Sequence, residues 1–194
     1  MTSRVGVAIL ARAPVPGAAK TRLIPALGAV GAARLQRWML QRTVAMALVA
    51  DVGPVSLWCA GDPAHPDFAV CRAFGRVDLH PQAEGDLGER MLAAVASSPT
   101  PAGTLVIGTD CPALGAAQLR ESARALGGND AVVIPAEDGG YVLIGMKTPA
   151  PEAFAGVDWG SARVMAQTRQ RLAALGWRWH EADPLWDVDL PQDL

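Results

Sequence analysis

A chain of 194 residues with 51% apolar side chains is long enough for one hydrophobic core and short for two. Its 17 basic and 19 acidic residues leave a formal net charge of -2 with no block of like charges, which argues against a dedicated nucleic-acid binder. Charged residues make up only 19%, so a disordered chain is excluded as well. Cys59, Cys71 and Cys111 show no C-x-x-C spacing, hence neither a disulfide framework nor a zinc signature. The apolar run from Met91 to Thr109 is broken by Ser97-Ser98-Pro99-Thr100-Pro101 and Gly103, which rules out a membrane-spanning helix there. Val5 to Leu10 is followed at once by Arg12 and a proline-rich turn, the pattern of a buried strand and not of a signal peptide. The expectation is a soluble, cytoplasmic protein with a single domain over 1–194 and no internal repeat.

Strand-like runs alternate with helical patterns, as in a mostly parallel sheet covered by helices. The first strand is predicted over Val5–Ala11. Leu35, Met39, Thr43 and Ala47 then recur at helical spacing within Gly31–Ala50. Pro54–Ala60 reads as the second strand, Asp67–Ala73 as a short helix and Arg76–His80 as a weak third strand. Asp86-Leu87-Gly88-Glu89 resembles a capping box, opening a helix whose inner face is Leu87, Met91, Leu92 and Val95. Thr104–Thr109 is short, continuous and apolar, the pattern of a strand buried at the sheet centre. Asp110 then emerges at the carboxyl end, where open α/β sheets gather ligands. A helix over Ala116–Leu126 leads to strands Ala131–Pro135 and Tyr141–Met146, expected to make a hairpin-like excursion over the site. Ser161 is placed to cap a helix running to Leu175 with Val164, Met165, Thr168, Leu172 and Leu175 inside. A last extended segment, Arg178–His180, precedes Asp187-Val188-Asp189.

Four segments can carry chemistry. The loop Arg12-Ala13-Pro14-Val15-Pro16-Gly17-Ala18-Ala19-Lys20-Thr21-Arg22 leaves the first strand at the ligand end with three cations. Arginine forks and a lysine ammonium suit phosphate oxygens, and Gly17 lets the backbone come close to a ligand. Ala19 stands where a Walker A loop needs glycine, and Gly28-Ala29-Val30-Gly31 does not satisfy G-x-G-x-x-G. Ordinary solvated cations are the alternative. Asp110, within Gly108-Thr109-Asp110-Cys111-Pro112, is either an oxygen ligand for Mg²⁺ or Mn²⁺ or a turn former. In Glu137-Asp138-Gly139-Gly140-Tyr141 the glycines allow close approach and Asp138 can accept a proton, although an Asp-Gly hairpin turn has the same sequence. Asp187 and Asp189 lie two apart, so on an extended segment they point the same way and can share a cation; helix capping before Pro191 is their other role. Between these, Gln82-Ala83-Glu84-Gly85-Asp86-Leu87-Gly88-Glu89-Arg90 combines glycine with charge. Arg90 there can reach an anion or belong to a solvated helix face. The scattered histidines and Cys111 are assigned no chemistry. Trp177, Trp179 and Trp186 read as core by default, with an acceptor platform or a dimer contact as alternatives.

Taken in order, Pro14 to Leu23, Glu84 to Met91, Gly108 to Pro112, Asp138 to Tyr141 and Asp187 to Asp189 resemble the small bacterial GT-A-like nucleotide-diphospho-sugar transferases. Some members of that family are assigned as arsenosugar-biosynthesis glycosyltransferases. The resemblance spans nearly the whole chain and implies a three-layer α/β/α fold with a mixed, mostly parallel central sheet. It further implies a nucleotide held by Arg12, Gly17, Lys20, Thr21 and Arg22 together with Glu84, Gly85 and Arg90. Gly139, Gly140 and Tyr141 would meet substrate, and Asp110 would take the place of the metal-binding aspartate. Pro112 stands where the usual D-x-D motif has its second aspartate, so the second ligand to Mg²⁺ or Mn²⁺ falls to Asp187 or Asp189. Leu190, in place of a capping Thr, implies a short final helix.

The activity so implied is metal-assisted transfer of a sugar from a nucleotide diphosphate to a small-molecule acceptor, with Asp138 orienting or deprotonating that acceptor. Two alternatives accompany it. One is a nucleotidyltransferase that joins a nucleoside triphosphate to a phosphorylated substrate and releases pyrophosphate; the other is a non-catalytic nucleotide-binding module. The partners expected are therefore a nucleotide sugar or nucleoside triphosphate, an acceptor and, as an open option, a second copy of the chain as a homodimer, with neither nucleic acid nor a membrane span.

Overall fold

The computed structural model describes residues 4–97 and 100–194. Its strands are β1 (Gly6–Arg12), β2 (Val55–Ala60), β3 (Val77–Pro81), β4 (Thr104–Ile107), β5 (Ala131–Pro135), β6 (Tyr141–Met146) and β7 (Trp179–Glu181). They form one seven-stranded sheet in the order β3-β2-β1-β4-β6-β5-β7. Among these strands only β6 runs against its neighbours, pairing antiparallel with β4 and β5; the remaining pairs are parallel.

Successive side chains of a strand point to opposite faces, so a strand covered on both sides must be apolar throughout. Along β1, Val7, Ile9 and Ala11 enter a core with Leu40 and Val44 of α1 (Ile24–Ala50), Phe68 of α2 (Pro66–Arg72) and Leu119 of α4 (Ala116–Gly128). Ala8 and Leu10 face a second core with Met91 and Val95 of α3 (Leu87–Ala96) and Leu172 of α5 (Val164–Ala174). The result is the expected three-layer α/β/α arrangement. From β1 the chain runs outward to β2 and β3, then returns to β4 on the other side of β1. That reversal opens a crevice at the carboxyl ends of β1 and β4.

Several local expectations need correction. β4 ends at Ile107 and not at Thr109, because Thr109 turns its hydroxyl to Gln36 and Asp110 instead of continuing the ladder. β5 and β6 have the expected bounds, but they are adjacent strands within the sheet, so they make no excursion over the site. α1 starts before Gly31, at Ile24, and is broken at Gly28 (φ 69°, ψ 164°), a conformation that glycine alone adopts cheaply. Ser161 lies three residues ahead of α5 and meets its entry turn, Oγ accepting from Arg163 N–H (3.3 Å). Its hydroxyl donates to the Asp158 carbonyl (2.8 Å), and the N-cap position falls on Arg163 without a side-chain cap. The capping box at α3 forms as expected: Glu89 N–H donates to Asp86 Oδ1 (2.9 Å) and Asp86 N–H to Glu89 Oε2 (2.8 Å). Leu87, expected inside, is 44% exposed. Gly88 takes the inner place, where a Cβ would stand 2.7 Å from the Trp159 ring. Trp177 and Trp179 pack against the second core while Trp186 is exposed. The last helix is a single 3-10 turn, Pro191–Asp193. No helix of the described residues is long and apolar enough to cross a membrane.

All three cysteines are buried free thiols. Burial, with smaller repulsion from nearby groups, pushes Cys59 up to about 12 and Cys71 to about 11. Because the thiolate is the nucleophile, iodoacetamide at pH 8 is expected to label denatured chain on all three cysteines and to leave Cys59 and Cys71 of the native protein unlabelled by mass spectrometry. Rapid native labelling at either would contradict this packing.

Candidate functional site

The crevice is a cavity of about 620 Å³ lined by Leu10, Ala11, Val106 and Ile107 from the carboxyl-terminal halves of β1 and β4. Arg12 comes to it from the end of β1, Lys20, Thr21 and Arg22 from the segment that follows, Arg90 and Leu87 from α3, and Tyr141 from β6. Asp110 stands just beyond β4, and Asp187 and Asp189 arrive from the C-terminal segment. Loops separated by more than 160 residues therefore meet at one opening, cations facing carboxylates.

Lys20 ties the parts together. Its ammonium lies 2.9 Å from Asp110 Oδ2 and donates to the Val188 carbonyl at 2.5 Å. The Val188 N–H in turn donates to the Asp110 carbonyl (2.8 Å). The Lys20 side chain is 5% exposed while that of Asp110 is 45% exposed, so the ammonium is enclosed and the carboxylate still faces the cavity. Lys20 also has left-handed backbone (φ 48°, ψ 47°), a cost carried where surrounding contacts over-determine it. Arg22 pairs with Asp189. The other Asp110 oxygen, Oδ1, accepts from the Thr109 hydroxyl (3.0 Å).

Two glutamines to which the sequence reading gave no role complete the frame. Gln36, buried on α1, donates through Nε2 to the Arg12 carbonyl and to Thr109 Oγ1, both at 3.2 Å. It joins the ends of β1 and β4 and directs the Thr109 proton toward Asp110. Gln82 donates to the carbonyls of Ala11 (3.2 Å) and Trp58 (2.9 Å). The only sequence signal for Gln36 was a polar residue on the inner face of an apolar helix, which a buried hydrogen-bonded amide explains.

Other candidates lie beside the cavity without lining it. Gly17 is exposed in the loop after β1, and Glu84 and Gly85 are exposed ahead of α3. The Gly85 carbonyl accepts from Arg90 Nε (3.0 Å), which steers that guanidinium along the wall. Asp138 is exposed at the β5–β6 turn, with Oδ1 accepting from Gly140 N–H (2.8 Å). Gly139 (φ 92°) sits so close to the chain that a Cβ would fall 2.3 Å from the Ala162 carbonyl oxygen, and its own carbonyl accepts from Met165 N–H (2.8 Å). Its glycine identity is set by that approach. Tyr141 stacks edge-on to Trp159 at 6.4 Å, and burial pushes its phenol far above the usual range.

Of the three carboxylates lining the cavity, Asp110 and Asp189 are ion-paired and Asp187 has no ion-pair partner among the described residues. Burial first, then the carboxylates of Asp138, Asp110 and Asp189, raise the Asp187 carboxyl to about 6. Among the described residues no three His, Cys, Asp or Glu side chains are gathered tightly enough to hold an ion unaided. Hard carboxylate oxygens nevertheless fit Mg²⁺ or Mn²⁺, ions that take one or two protein carboxylates and complete their shell with phosphate oxygens and water.

Residues 43–161 match the family model described as "Uncharacterized protein conserved in bacteria (DUF2064)". The chain belongs to this family. No curated protein matches it significantly. Among solved structures, the DUF2064 chain is similar to a protein of Desulfovibrio desulfuricans G20 designated a nucleotide-diphospho-sugar transferase: 26% identity over 97% of this chain and 84% of the other, TM-score 0.84. It also shares its fold with Rv0371c of Mycobacterium tuberculosis H37Rv in complex with manganese, at 17% identity over 97% and 93% of the two chains, TM-score 0.56. A third likeness is to CMP:2-keto-3-deoxy-manno-octonic acid synthetase complexed with CTP, at 11% identity over 98% and 95%, TM-score 0.58. The GT-A-like bacterial family that the motifs resemble and the fold of this DUF2064 chain thus agree.

A carboxyl raised in the folded state favours folding at low pH and loses that contribution as pH rises through the window from 3.8 to about 6. Asp187→Asn is therefore expected to raise the melting temperature at pH 8 and to leave it unchanged near pH 4, measured by circular dichroism. A variant less stable than wild type at pH 8 would show that Asp187 is held by favourable contacts instead.

Proposed function

We propose that this cavity binds the donor of a metal-assisted glycosyltransferase, with the chain over 1–194 acting as one transferase domain that moves a sugar from a nucleotide diphosphate to a small-molecule acceptor. The observation that supports this is the facing of Lys20 and Arg22 against Asp110, Asp187 and Asp189 at the switch between β1 and β4. Anionic phosphates suit the first set, and a divalent ion shared with them suits the second.

In this reading Arg12, Lys20, Thr21 and Arg22 hold the diphosphate, Arg90 closes the far wall, and Tyr141 lies toward the transferred sugar. The C1–O bond of the donor breaks with its electron pair left on the terminal phosphate oxygen. The acceptor oxygen bonds to C1, and its proton passes to Asp138. Mg²⁺ or Mn²⁺ on Asp110, with Asp187 or Asp189, would when bound offset the charge on the departing diphosphate. Lys20 and Arg22 would supply the same kind of stabilisation from the side of the cavity.

Nucleotidyl transfer with release of pyrophosphate is the second reading, favoured by three cations on one loop (Arg12, Lys20, Arg22), which match a triphosphate. Melting curves with UDP- and GDP-sugars against nucleoside triphosphates, each with and without Mn²⁺, separate the two. A ligand at a hundred times its Kd adds about 2.7 kcal/mol, or roughly 5–10 °C for a chain of this size. Stabilisation by an activated sugar in Mn²⁺ without pyrophosphate release is the expected result. Pyrophosphate release transfers the assignment to the second reading, and binding without turnover leaves a nucleotide-binding module. Once a donor is known, Asp138→Asn is expected to lower turnover by about a hundredfold or more with donor affinity unchanged; intact turnover removes Asp138 from the mechanism.

A further inference from the structure

Asp110 is the carboxylate that both readings give to the metal, yet in this fold it already has a cation. The Lys20 ammonium lies 2.9 Å from Oδ2 and is nearly enclosed, fixed a second time by the Val188 carbonyl. Thr109 holds the other oxygen. A few residues on, Arg22 occupies Asp189 in the same way. Two of the three cavity carboxylates are thus matched one to one with cations on the loop proposed to grip phosphate.

A divalent ion bound by Asp110 would lie within a few ångströms of a buried ammonium, where weak screening makes like-charge repulsion strong. A phosphate group reverses the balance, since it accepts hydrogen bonds from Lys20 and shares its oxygens with the metal. We propose that Lys20 is a built-in counter-ion that opposes divalent-metal binding at Asp110 until a ligand phosphate takes the ammonium over, so that metal and phosphate ligand load as a coupled pair. This inference rests on the phosphate-binding reading of the cavity and adds an order to it: metal alone binds weakly, and each ligand tightens the other by the same factor.

The test is Mn²⁺ affinity, read from the electron paramagnetic resonance signal of free Mn²⁺ over the intact chain. Lys20→Met keeps the length of the side chain and removes its charge; Lys20→Gln also keeps a donor for the Val188 carbonyl and so guards against loss of folding. With Mn²⁺ alone, both variants are expected to bind at least tenfold tighter than wild type, and Lys20→Arg no tighter than wild type. Pyrophosphate, corrected by a protein-free control for its own chelation, is expected to tighten Mn²⁺ binding at least tenfold in wild type and little in Lys20→Met. Equal or weaker Mn²⁺ binding by the charge-removing variants overturns the proposal, even if nucleotides stabilise the protein. If the variants gain Mn²⁺ affinity and pyrophosphate couples as stated while no nucleotide shifts the melting curve, Lys20 keeps its role and the nucleotide reading is what fails.

Discussion

The contact on which the cavity depends is the ammonium of Lys20 held between the Asp110 carboxylate and the Val188 carbonyl. It fastens three segments remote in sequence: the loop after β1, the end of β4 and the C-terminal stretch. Backbone pairing supports it, since the Val188 N–H returns a bond to Asp110 and the Leu185 N–H donates to the Pro135 carbonyl. Without that segment laid across the strand ends, Asp187 and Asp189 would not enter the cavity. A small number of polar contacts therefore decides whether the carboxylates converge, while the sheet beneath supplies the rigidity.

The same arrangement is costly. Burial, and after it repulsion from Asp138, Asp110 and Asp189, raises the Asp187 carboxyl to about 6, and a lysine is held in left-handed backbone. Binding sites commonly keep such strain and repulsion because a ligand relieves them. Here two apolar cores, one on each face of the sheet, carry the stability that this concentration of charge draws on. Gln36 marks the boundary between the two regimes: it is buried like a core residue, yet its amide serves the polar strand ends.

Much of the architecture was legible beforehand. The apolar runs at β5 and β6 end where their flanking turn residues say they should, and the Asp86–Glu89 capping box is a local pattern that needs no tertiary context. What misled was local grammar overruled by distant contacts. Leu87 fits a helical stripe, but the first turn of α3 forms a lip of the cavity, so Gly88 packs inward against Phe154 and Trp159 in its stead. Ser161 is a good cap by type, yet its hydroxyl bridges the Asp158 carbonyl and the Arg163 N–H while the helix itself starts only at Val164. Gly139 reads as room for a ligand to come close, and the group that comes close is the backbone of Ala162.

By itself the sequence determined the class of fold, the positions of the strands and the segments able to carry charge, because these follow from periodicity, turn chemistry and residue type within short windows. Only the tertiary structure decided which cation meets which carboxylate. Lys20 with Asp110 and Arg22 with Asp189 are pairings across 90 and 167 residues, and no local pattern encodes them. They arise because β1 and β4 lie side by side at the reversal of strand order and the C-terminal segment closes over both.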